Sequence, residues 1–288
     1  MGLVRHFRRG ISRLTRKKRQ EEQDIAEERR HILSFQSDFY TREAYKALRT
    51  NVTFSLATEG CKVIAITSSL ASEGKSITAL NLAISFAEAG ERVLLVDCDL
   101  RRPNQARLLD LKPRPGLANV LVRLASAEEA IRPGIRKGLD VLPSGDIPPN
   151  PSELLGSNRM WELVEELKPR YDYIFIDTPP VNVVADASIV SKYADGVLFV
   201  VRQRESEKDP LLTAVGQLEF ASAKLLGFVL NGVRTDGSGR YGYGKYKKYK
   251  KKYKKYGYGY GYSYSRQAAE PPEKSKPPDE GGPPGGAP

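Results

Sequence analysis

Residues 62–83 read KVIAITSSLASEGKSITALNLA, in which an apolar run is followed by a loop of small residues and then by a second apolar segment. The loop contains Ser69-x4-Gly74-Lys75-Ser76, the phosphate-loop pattern with Ser instead of Gly at its first position. The pattern lies between a predicted strand and a predicted helix, where backbone N–H groups at the helix N-terminus can bind a phosphate. A helix N-cap followed by a lysine is the alternative interpretation. The position between strand and helix favours a nucleotide-binding loop.

Around this loop, short apolar segments alternate with helical patterns. Strands are predicted at 62–67, 92–97, 139–144, 171–177, 196–202 and 225–231, and the clearest helices at 75–89, 159–168, 184–193 and 208–223. Most of the strands are nearly continuous hydrophobic runs, which is typical of parallel strands covered on both faces. The alternation predicts an α/β fold, a doubly wound and mainly parallel sheet with helices on both faces. With the phosphate loop, this is the P-loop NTPase fold.

The phosphate loop assigns roles to its residues. We expect its backbone to wrap the β-phosphate, through Ser72, Glu73, Gly74, Lys75, Ser76 and Ile77. Lys75 is expected to bridge the β- and γ-phosphates, and the Ser76 hydroxyl to be a ligand of Mg²⁺. The predicted nucleotide and metal are therefore ATP and Mg²⁺.

Two acidic motifs follow later strands. VLLVDCDLRRP contains Asp97 and Asp99, whose two-residue spacing at a strand end directs both carboxylates to one side. YIFIDTPP places Asp177 after four apolar residues, where a doubly wound sheet brings a carboxylate near the phosphate loop. A strand-end turn and a helix N-cap are the alternative roles of Asp97 and Asp99. Beside a nucleotide, such carboxylates favour Mg²⁺ binding and proton abstraction.

The C-terminal part of the chain has an unusual composition. Ten of the fifteen tyrosines lie between residues 241 and 264, together with eight lysines, no acidic residue and no aliphatic residue. They are Tyr241, Tyr243, Tyr246, Tyr249, Tyr253, Tyr256, Tyr258, Tyr260, Tyr262 and Tyr264. Such a segment cannot bury enough apolar surface to order itself, so we expect solvated phenol groups. A nucleotide site and displayed hydroxyls predict a kinase that phosphorylates its own tail.

Composition excludes several classes of protein. The net charge of +11 is concentrated in the terminal segments, since residues 1–19 and 234–266 carry eight and eleven Arg or Lys. It therefore does not indicate a nucleic-acid-binding fold. Two cysteines exclude a disulfide scaffold, and two histidines that precede the strands argue against a zinc site or a His-based triad. No apolar run is long enough for a signal peptide or a membrane span, which predicts a cytoplasmic protein.

Together the SSLASEGKS loop, the VDCDLRRP and IDTPP motifs and the tyrosine tail resemble the bacterial tyrosine kinases of capsular and exopolysaccharide synthesis. The resemblance covers roughly residues 38–264, and the fold of that family is related to MinD- and ParA-type ATPases. It implies autophosphorylation in trans within a ring of subunits. By resemblance and geometry, Asp97 is the base, Asp99, Ser76 and Asp177 serve Mg²⁺, and Lys75 stabilises charge on the transferring group.

The resemblance also suggests an oligomer interface and an adenine contact. The family's Glu-x2-Arg-x2-Arg motif corresponds to Glu43, Lys46 and Arg49, one ridge of a helix predicted from about Asp38. Lys46 departs from the pattern, because lysine lacks the planar fork of arginine. A solvated charged face is the alternative. Asn231, at the end of the last strand, is similar to the position that meets adenine in related folds, or is a turn residue.

The predicted organisation has four segments. They are a basic amphipathic and helical N-terminal extension, a P-loop tyrosine kinase domain, a disordered tyrosine- and lysine-rich autophosphorylation cluster and a disordered Pro/Gly tail, at residues 1–37, 38–233, 234–266 and 267–288. The extension can lie on an anionic bilayer or be a solvated tail.

The resemblance implies several partners. These are the other subunits of a homo-oligomeric ring, a transmembrane activator or adaptor of the polysaccharide export system, a cognate tyrosine phosphatase, and protein substrates in sugar-nucleotide metabolism. No specific nucleic acid is expected. The membrane partner would hold the cytoplasmic protein at the inner face of the plasma membrane.

Two other functions compete with the kinase. A MinD- or ParA-like positioning ATPase shares the fold but carries an extra lysine early in the phosphate loop, whereas residues 67–72 read TSSLAS. Such an ATPase also has no use for a tyrosine tail. Lysines interleaved with aromatic residues suit RNA or polyanion binding as well, and this activity is compatible with either enzyme.

Overall fold

The structure is a computed structural model that describes residues 23–56 and 59–233. The autophosphorylation cluster and the Pro/Gly tail predicted from the sequence lie outside the described residues. The same holds for residues 1–22 of the N-terminal extension.

A seven-stranded sheet forms the centre of the described part. Its strands are β1 (Lys62–Ser68), β2 (Val93–Asp97), β3 (Arg132–Arg136), β4 (Leu139–Leu142), β5 (Tyr173–Asp177), β6 (Gly196–Arg202) and β7 (Leu225–Asn231). They lie in the order β3-β4-β2-β5-β1-β6-β7. Every neighbouring pair is parallel except β3 and β4. The predicted doubly wound, mainly parallel fold is confirmed.

Strand β3 was not predicted. Its sequence RPGIR has no apolar run and contains Pro133 and Gly134, two residues that weaken a strand signal. The strand pairs antiparallel with β4 at the edge of the sheet, where proline is tolerated because one side of the strand makes no ladder bonds. Pairing with a neighbour, rather than local propensity, therefore produces this element.

Helices connect the strands. They are α1 (residues 23–30), α2 (Phe39–Ser55), α3 (Lys75–Ala87), α4 (Gln105–Leu109), α5 (Leu117–Leu121), α6 (Ala127–Ala130), α7 (Pro151–Leu155), α8 (Asn158–Leu167), α9 (Asp186–Val190) and α10 (Lys208–Phe220). Asp38 caps α2 as predicted, because its carboxylate accepts a hydrogen bond from the Thr41 N–H. The helix predicted at 184–193 is α9 followed by a 3-10 turn, Ser191–Tyr193.

Both faces of the sheet are covered by apolar layers. In β1, Ile64 and Ile66 belong to the core that α2 and α3 cover, whereas Val63 and Ala65 belong to the core on the other face, with α8 and α9. All four side chains are buried. Alternate residues of one strand thus enter different cores, which explains why the strand reads as a continuous hydrophobic run.

The segment before α2 packs on the helix that follows the phosphate loop. Leu33 is buried, and its N–H donates to the Asn81 side chain of α3 at 2.7 Å. Asn81 in turn donates to the carbonyl of His31 at 2.8 Å. Folded structure therefore includes residues before the boundary predicted at residue 38. In the described ranges, no helix is long and apolar enough to cross a membrane.

Strands β2, β5 and β1 are neighbours in the centre of the sheet. Parallel strands end at the same edge, so the segments that follow these three strands meet there. Asp97 of β2 and Asp177 of β5 are direct register partners, and the loop after β1 begins beside them. This edge is the place where doubly wound sheets bind ligands.

Candidate active site

The loop between β1 and α3 has the backbone of a phosphate-binding loop. Gly74, the N-cap of α3, has a φ of +90°, and a Cβ atom at this position would lie 2.0 Å from Nδ2 of Asn231. Ser72 also has a positive φ, +67°. No side chain of the described residues caps α3. Its first N–H groups therefore have no side-chain acceptor, and phosphate binding at this helix N-terminus stays a prediction.

The side chain of Glu73 is engaged within the loop. Its carboxylate is buried and accepts hydrogen bonds from the Ser69 hydroxyl at 2.8 Å and from the Leu70 N–H at 2.9 Å. The hydroxyl of Ser206, in the segment between β6 and α10, also donates to it. The carboxylate of Glu73 therefore holds the loop together, and a contribution of its backbone to nucleotide binding stays a prediction.

Two further residues brace the loop from the side of β6 and β7. Arg202 donates from Nη1 to the carbonyl of Ser72 at 3.1 Å, and Asn231 donates from Nδ2 to the carbonyl of Glu73 at 3.0 Å. Asn231 thus lies beside the phosphate loop, and its contact with adenine stays a prediction. Ser206 and Arg202 were missed by sequence analysis, because no local pattern links them to a loop 130 residues away.

Three carboxylates and one lysine meet at the ends of the central strands. Asp97 and Asp177 are completely buried, and Asp99 is nearly so. Nζ of Lys75 lies 3.0 Å from Oδ2 of Asp99 and 3.5 Å from Oδ1 of Asp177. The structure therefore brings together the four charged residues that the sequence motifs predicted for one site.

Asp97 is held in place by backbone donors. Its Oδ2 accepts from the N–H groups of Asn104 at 3.0 Å and Gln105 at 2.9 Å, and its Oδ1 accepts from the Asp99 N–H at 3.2 Å. The first two donors precede and begin α4, so this short helix fixes the position of the carboxylate.

Burial and like charges alter the proton affinities in this cluster. Burial, followed by the charge of Asp177, raises the pKa of Asp97 to about 7. Burial also raises the pKa of Asp177, although Lys75 opposes this effect. Burial acts to lower the pKa of Lys75, but Asp177 and Asp99 outweigh it and raise that pKa. A carboxylate whose pKa lies near neutrality suits a general base.

The oxygen atoms of the site fit Mg²⁺. Oδ1 of Asp177 is buried and accepts no hydrogen bond from the described residues. The Ser76 hydroxyl lies 3.3 Å from Nζ of Lys75, the ammonium that also contacts this carboxylate. No group of three or more His, Cys, Asp or Glu in the described ranges forms a metal cage. Mg²⁺ typically binds through one or two carboxylates together with water and phosphates, and Asp177 and the Ser76 hydroxyl offer oxygen donors of this kind.

The loop after β2 is anchored by Arg101. Its guanidinium contacts the buried carboxylate of Asp186 at 3.0 Å and donates to the Ser152 hydroxyl at 2.9 Å. Ser152 donates to the same carboxylate at 2.6 Å. The VDCDLRRP motif thus contains an anchor as well as acidic groups. Sequence analysis missed this role, because its partners lie on α7 and α9.

The three residues of the ridge predicted as an oligomer interface do not share the same kind of contact. Glu43 and Lys46 form an ion pair of 2.8 Å on the surface of α2. Arg49 instead donates from Nη1 to the carbonyl of Ser85 in α3. Arg49 therefore helps to fasten α2 to α3, and the participation of all three residues in an interface stays a prediction.

The fold and the arrangement of Lys75, Asp97 and Asp177 define a P-loop nucleotide-binding protein. The family described as AAA domain matches residues 61–209. The chain is 43% identical over 201 residues to the tyrosine-protein kinase YwqD of Bacillus subtilis (strain 168), a match that covers 70% of this chain and 85% of that protein.

Solved structures agree with this similarity. The kinase domain of the Escherichia coli tyrosine kinase ETK has 33% identity and a TM-score of 0.66, covering 70% of this chain and 80% of that one. The septum site-determining protein MinD of Pyrococcus horikoshii OT3, complexed with Mg-ADP, has 28% identity and a TM-score of 0.51, covering 62% and 73%. The chain belongs to the bacterial tyrosine-protein kinases. The family and the enzyme class predicted from the motifs are confirmed.

Proposed function

We propose that this protein transfers the γ-phosphoryl group of ATP to tyrosines of its own C-terminal cluster, residues 241–264. The observation that carries the proposal is the buried Asp97, whose pKa of about 7 is combined with a nearby Lys75 and a phosphate loop. A tyrosine hydroxyl has a pKa near 10 and needs a base to become a nucleophile at neutral pH.

The loop and Lys75 bind the nucleotide. The uncapped N-terminus of α3 supplies N–H donors for the phosphates, and Gly74 permits the backbone to approach them. The ammonium of Lys75 is held by Asp99 and Asp177, within reach of the loop. On nucleotide binding it stabilises the negative charge of the transferring group.

Proton transfer is assigned to Asp97. Its carboxylate takes the phenol proton while the phenol oxygen bonds to the γ-phosphorus. The bond from the γ-phosphorus to the β–γ bridging oxygen breaks, and ADP leaves with that electron pair. Ser76, Asp99 and Asp177 would hold Mg²⁺, directly or through water. When bound, Mg²⁺ neutralises charge that develops on the phosphates.

The acceptor cluster lies outside the described residues, so composition supports its role. Tethering places it at roughly millimolar effective concentration near a neighbouring active site. Glycines and irregular spacing give many tyrosines access. Transfer in trans, from one subunit to the next within a homo-oligomeric ring, is the form of the reaction that the family resemblance supports.

The exposed face of α2 supports an assembly. Phe39 and Phe54 are largely exposed, and Glu43 and Lys46 lie on the same helix. A surface helix that combines large apolar side chains with a charged pair suits a contact with another subunit. Arg49, which is bound to α3, would support the helix from behind.

The biological setting follows from the family resemblance. We propose control of capsular or exopolysaccharide synthesis, with a transmembrane activator that recruits the protein to the inner face of the plasma membrane. A cognate tyrosine phosphatase would reverse the modification, and proteins of sugar-nucleotide metabolism would be further substrates. The isolated chain should therefore have low basal activity.

A positioning ATPase without a protein substrate is the second candidate, because the fold also resembles MinD. Both TM-score and identity are higher for the tyrosine kinase domain of ETK, 0.66 and 33% against 0.51 and 28%. Residues 67–72 also lack the extra lysine of positioning ATPases. These observations favour the kinase.

The deciding experiment is a long incubation of the full chain with MgATP, followed by mass spectrometry. Phosphate on cluster tyrosines in wild type and none in Lys75→Met is the expected result. ATP hydrolysis without phosphotyrosine would favour the positioning ATPase. Because basal activity is expected to be low, high protein concentration is part of the design.

A further inference from the structure

Gln105 contacts three parts of the active site from one position. It is completely buried and begins α4. Its backbone N–H donates to Oδ2 of Asp97 at 2.9 Å. Its side-chain Nε2 donates to Oδ2 of Asp177 at 2.8 Å and to the carbonyl of Ser76 at 3.1 Å. The ends of β2 and β5 and the start of α3 are thus joined through this residue.

The orientation of the amide is settled by its neighbours. A carboxylate oxygen and a carbonyl oxygen both accept hydrogen bonds, so the atom of Gln105 that faces them has to be the nitrogen donor. Oε1 of Gln105 is then buried without a hydrogen-bond partner in the described part of the chain. An unsatisfied buried acceptor costs free energy, which indicates that this amide serves the site rather than stability.

The amide also determines how Asp177 is presented. One of its oxygen atoms, Oδ2, is occupied by Gln105, while Oδ1 accepts no hydrogen bond from the described residues and lies 3.5 Å from Nζ of Lys75. Without the Gln105 donor, Oδ2 would lose this hydrogen bond, and the contact with Lys75 would be left to orient a carboxylate whose terminal torsion has broad minima. The contact therefore keeps one oxygen atom available on the side of the lysine.

We propose that Gln105 is a positioning residue for the cation site: it orients Asp177 and ties it to Ser76, so that both can serve one Mg²⁺ of a bound nucleotide. The inference rests on the proposed MgATP site and not on tyrosine transfer. Partners that orient a metal ligand typically change metal affinity by a factor of about 10–100 when they are removed.

A purely structural role predicts a different outcome. The two backbone donors to Asp97, from Asn104 and Gln105, do not depend on the Gln105 side chain. Gln105→Met keeps these donors and nearly the same volume but deletes the amide. Gln217→Met makes the same chemical change on an exposed residue of α10 and is the matched control.

The experiment is a calorimetric titration of the full chain with ADP, in Mg²⁺ and in EDTA. In Gln105→Met, the increase in ADP affinity caused by Mg²⁺ should fall roughly tenfold or more, while affinity in EDTA stays within about twofold, because the phosphate loop is intact. Gln217→Met should match wild type. An unchanged Mg²⁺ effect, or an equal loss of affinity in EDTA, would overturn the proposal.

A double-mutant cycle tests whether Gln105 acts through Asp177. Gln105→Ala is the second variant, since a smaller side chain cannot clash if Met does not fit. If Gln105 works by orienting Asp177, adding either variant to Asp177→Asn should cause little further loss of the Mg²⁺ effect. Additive losses would contradict the inference. All readouts concern ADP binding, so a failure of tail phosphorylation leaves them interpretable.

Discussion

Asp97 and Asp177 are register partners at the ends of the neighbouring parallel strands β2 and β5, and both are completely buried. Two buried carboxylates side by side disfavour simultaneous ionisation. Lys75 contacts Asp177, and backbone N–H groups contact Asp97. This relationship gives Asp97 a pKa near neutral pH beside a phosphate loop. The pH dependence of activity and stability should therefore report on this carboxylate.

Asp97→Asn should abolish tail phosphorylation, because Asn cannot accept the phenol proton. In wild type, activity should rise with pH through about 7, the pKa of Asp97, since only the ionised form is a base. Phosphotyrosine formation measured across pH, at saturating MgATP, checks both points. Persistent phosphorylation of the tail in Asp97→Asn would remove its role as base.

The same substitution should alter stability in a pH-dependent way. The folded pKa of Asp97, about 7, is higher than the value of about 3.9 expected in the unfolded chain. Its contribution to stability is therefore complete below about pH 4 and is lost as pH rises through 7. Asp97→Asn avoids that loss, so its melting temperature relative to wild type should increase from pH 5 to pH 8. An equal difference at both pH values would show that Asp97 does not titrate in this range.

Lys75→Met should abolish phosphorylation and also destabilise the nucleotide-free protein. The substitution leaves Asp99 and Asp177 buried without their cation, a change that typically costs about 3–5 kcal/mol. The loss should be smaller at pH 5, because burial raises the pKa of Asp177 and this carboxylate can then take up a proton more readily. Lys46→Met, which breaks an exposed ion pair, is the matched control and should cost less than about 1 kcal/mol. Denaturant unfolding at the two pH values distinguishes these outcomes.

Ser206→Ala should weaken nucleotide binding through the phosphate loop. The variant removes the hydroxyl that donates to Glu73 and accepts from the Arg202 N–H at 2.8 Å. Affinity for ADP should fall roughly three- to tenfold, in Mg²⁺ and in EDTA alike, as expected for one lost hydrogen bond. Ser206→Thr keeps the hydroxyl and should retain most of the affinity. An effect confined to Mg²⁺ would show that the hydroxyl supports the metal site instead.

Tail phosphorylation should be graded and spread over many tyrosines. Irregular spacing and glycines in residues 241–264 allow different phenol groups to enter a neighbouring site. Mass spectrometry of a time course should therefore show mixtures of partly modified chains, and no single Tyr→Phe change should abolish modification. Phosphate confined to Tyr40, Tyr45 or another domain tyrosine would contradict this prediction.

Phosphorylation of the tail should also cause the proposed homo-oligomeric ring to dissociate. Ten phosphotyrosines add roughly −15 to −20 charges to a segment that carries eight lysines, so several tails around one ring would repel each other. Native mass spectrometry should show rings for Lys75→Met and smaller species for phosphorylated wild type. Glu43→Ala should lack rings while unphosphorylated. Identical oligomer distributions for Lys75→Met and phosphorylated wild type would disprove the proposed effect of phosphorylation on assembly. An intact ring in Glu43→Ala would exclude the proposed interface.

Much of the site was predictable because each motif lies within one strand–loop segment. The GKS triplet, the pair Asp97 and Asp99, and Asp177 each follow an apolar run, and parallel strands end at the same edge. The ion pairs of Lys75 with Asp99 and Asp177 could not be predicted from the sequence, because they connect separate segments of the chain. The same is true of Gln105, whose backbone and side chain contact different strands.

The sequence by itself determined six of the seven strands in the described part of the chain, the phosphate loop and the identity of the acidic residues, since hydrophobic runs and loop chemistry are local properties. Tertiary structure alone decided which groups touch. Strand β3 forms at the sheet edge only because it pairs with β4. Arg49 of the predicted ridge donates a hydrogen bond to the carbonyl of Ser85, and the Ser206 hydroxyl donates one to Glu73. Tertiary structure also raises the pKa of Asp97 to about 7, because its burial and its charged neighbour Asp177 arise only when distant strands are packed together.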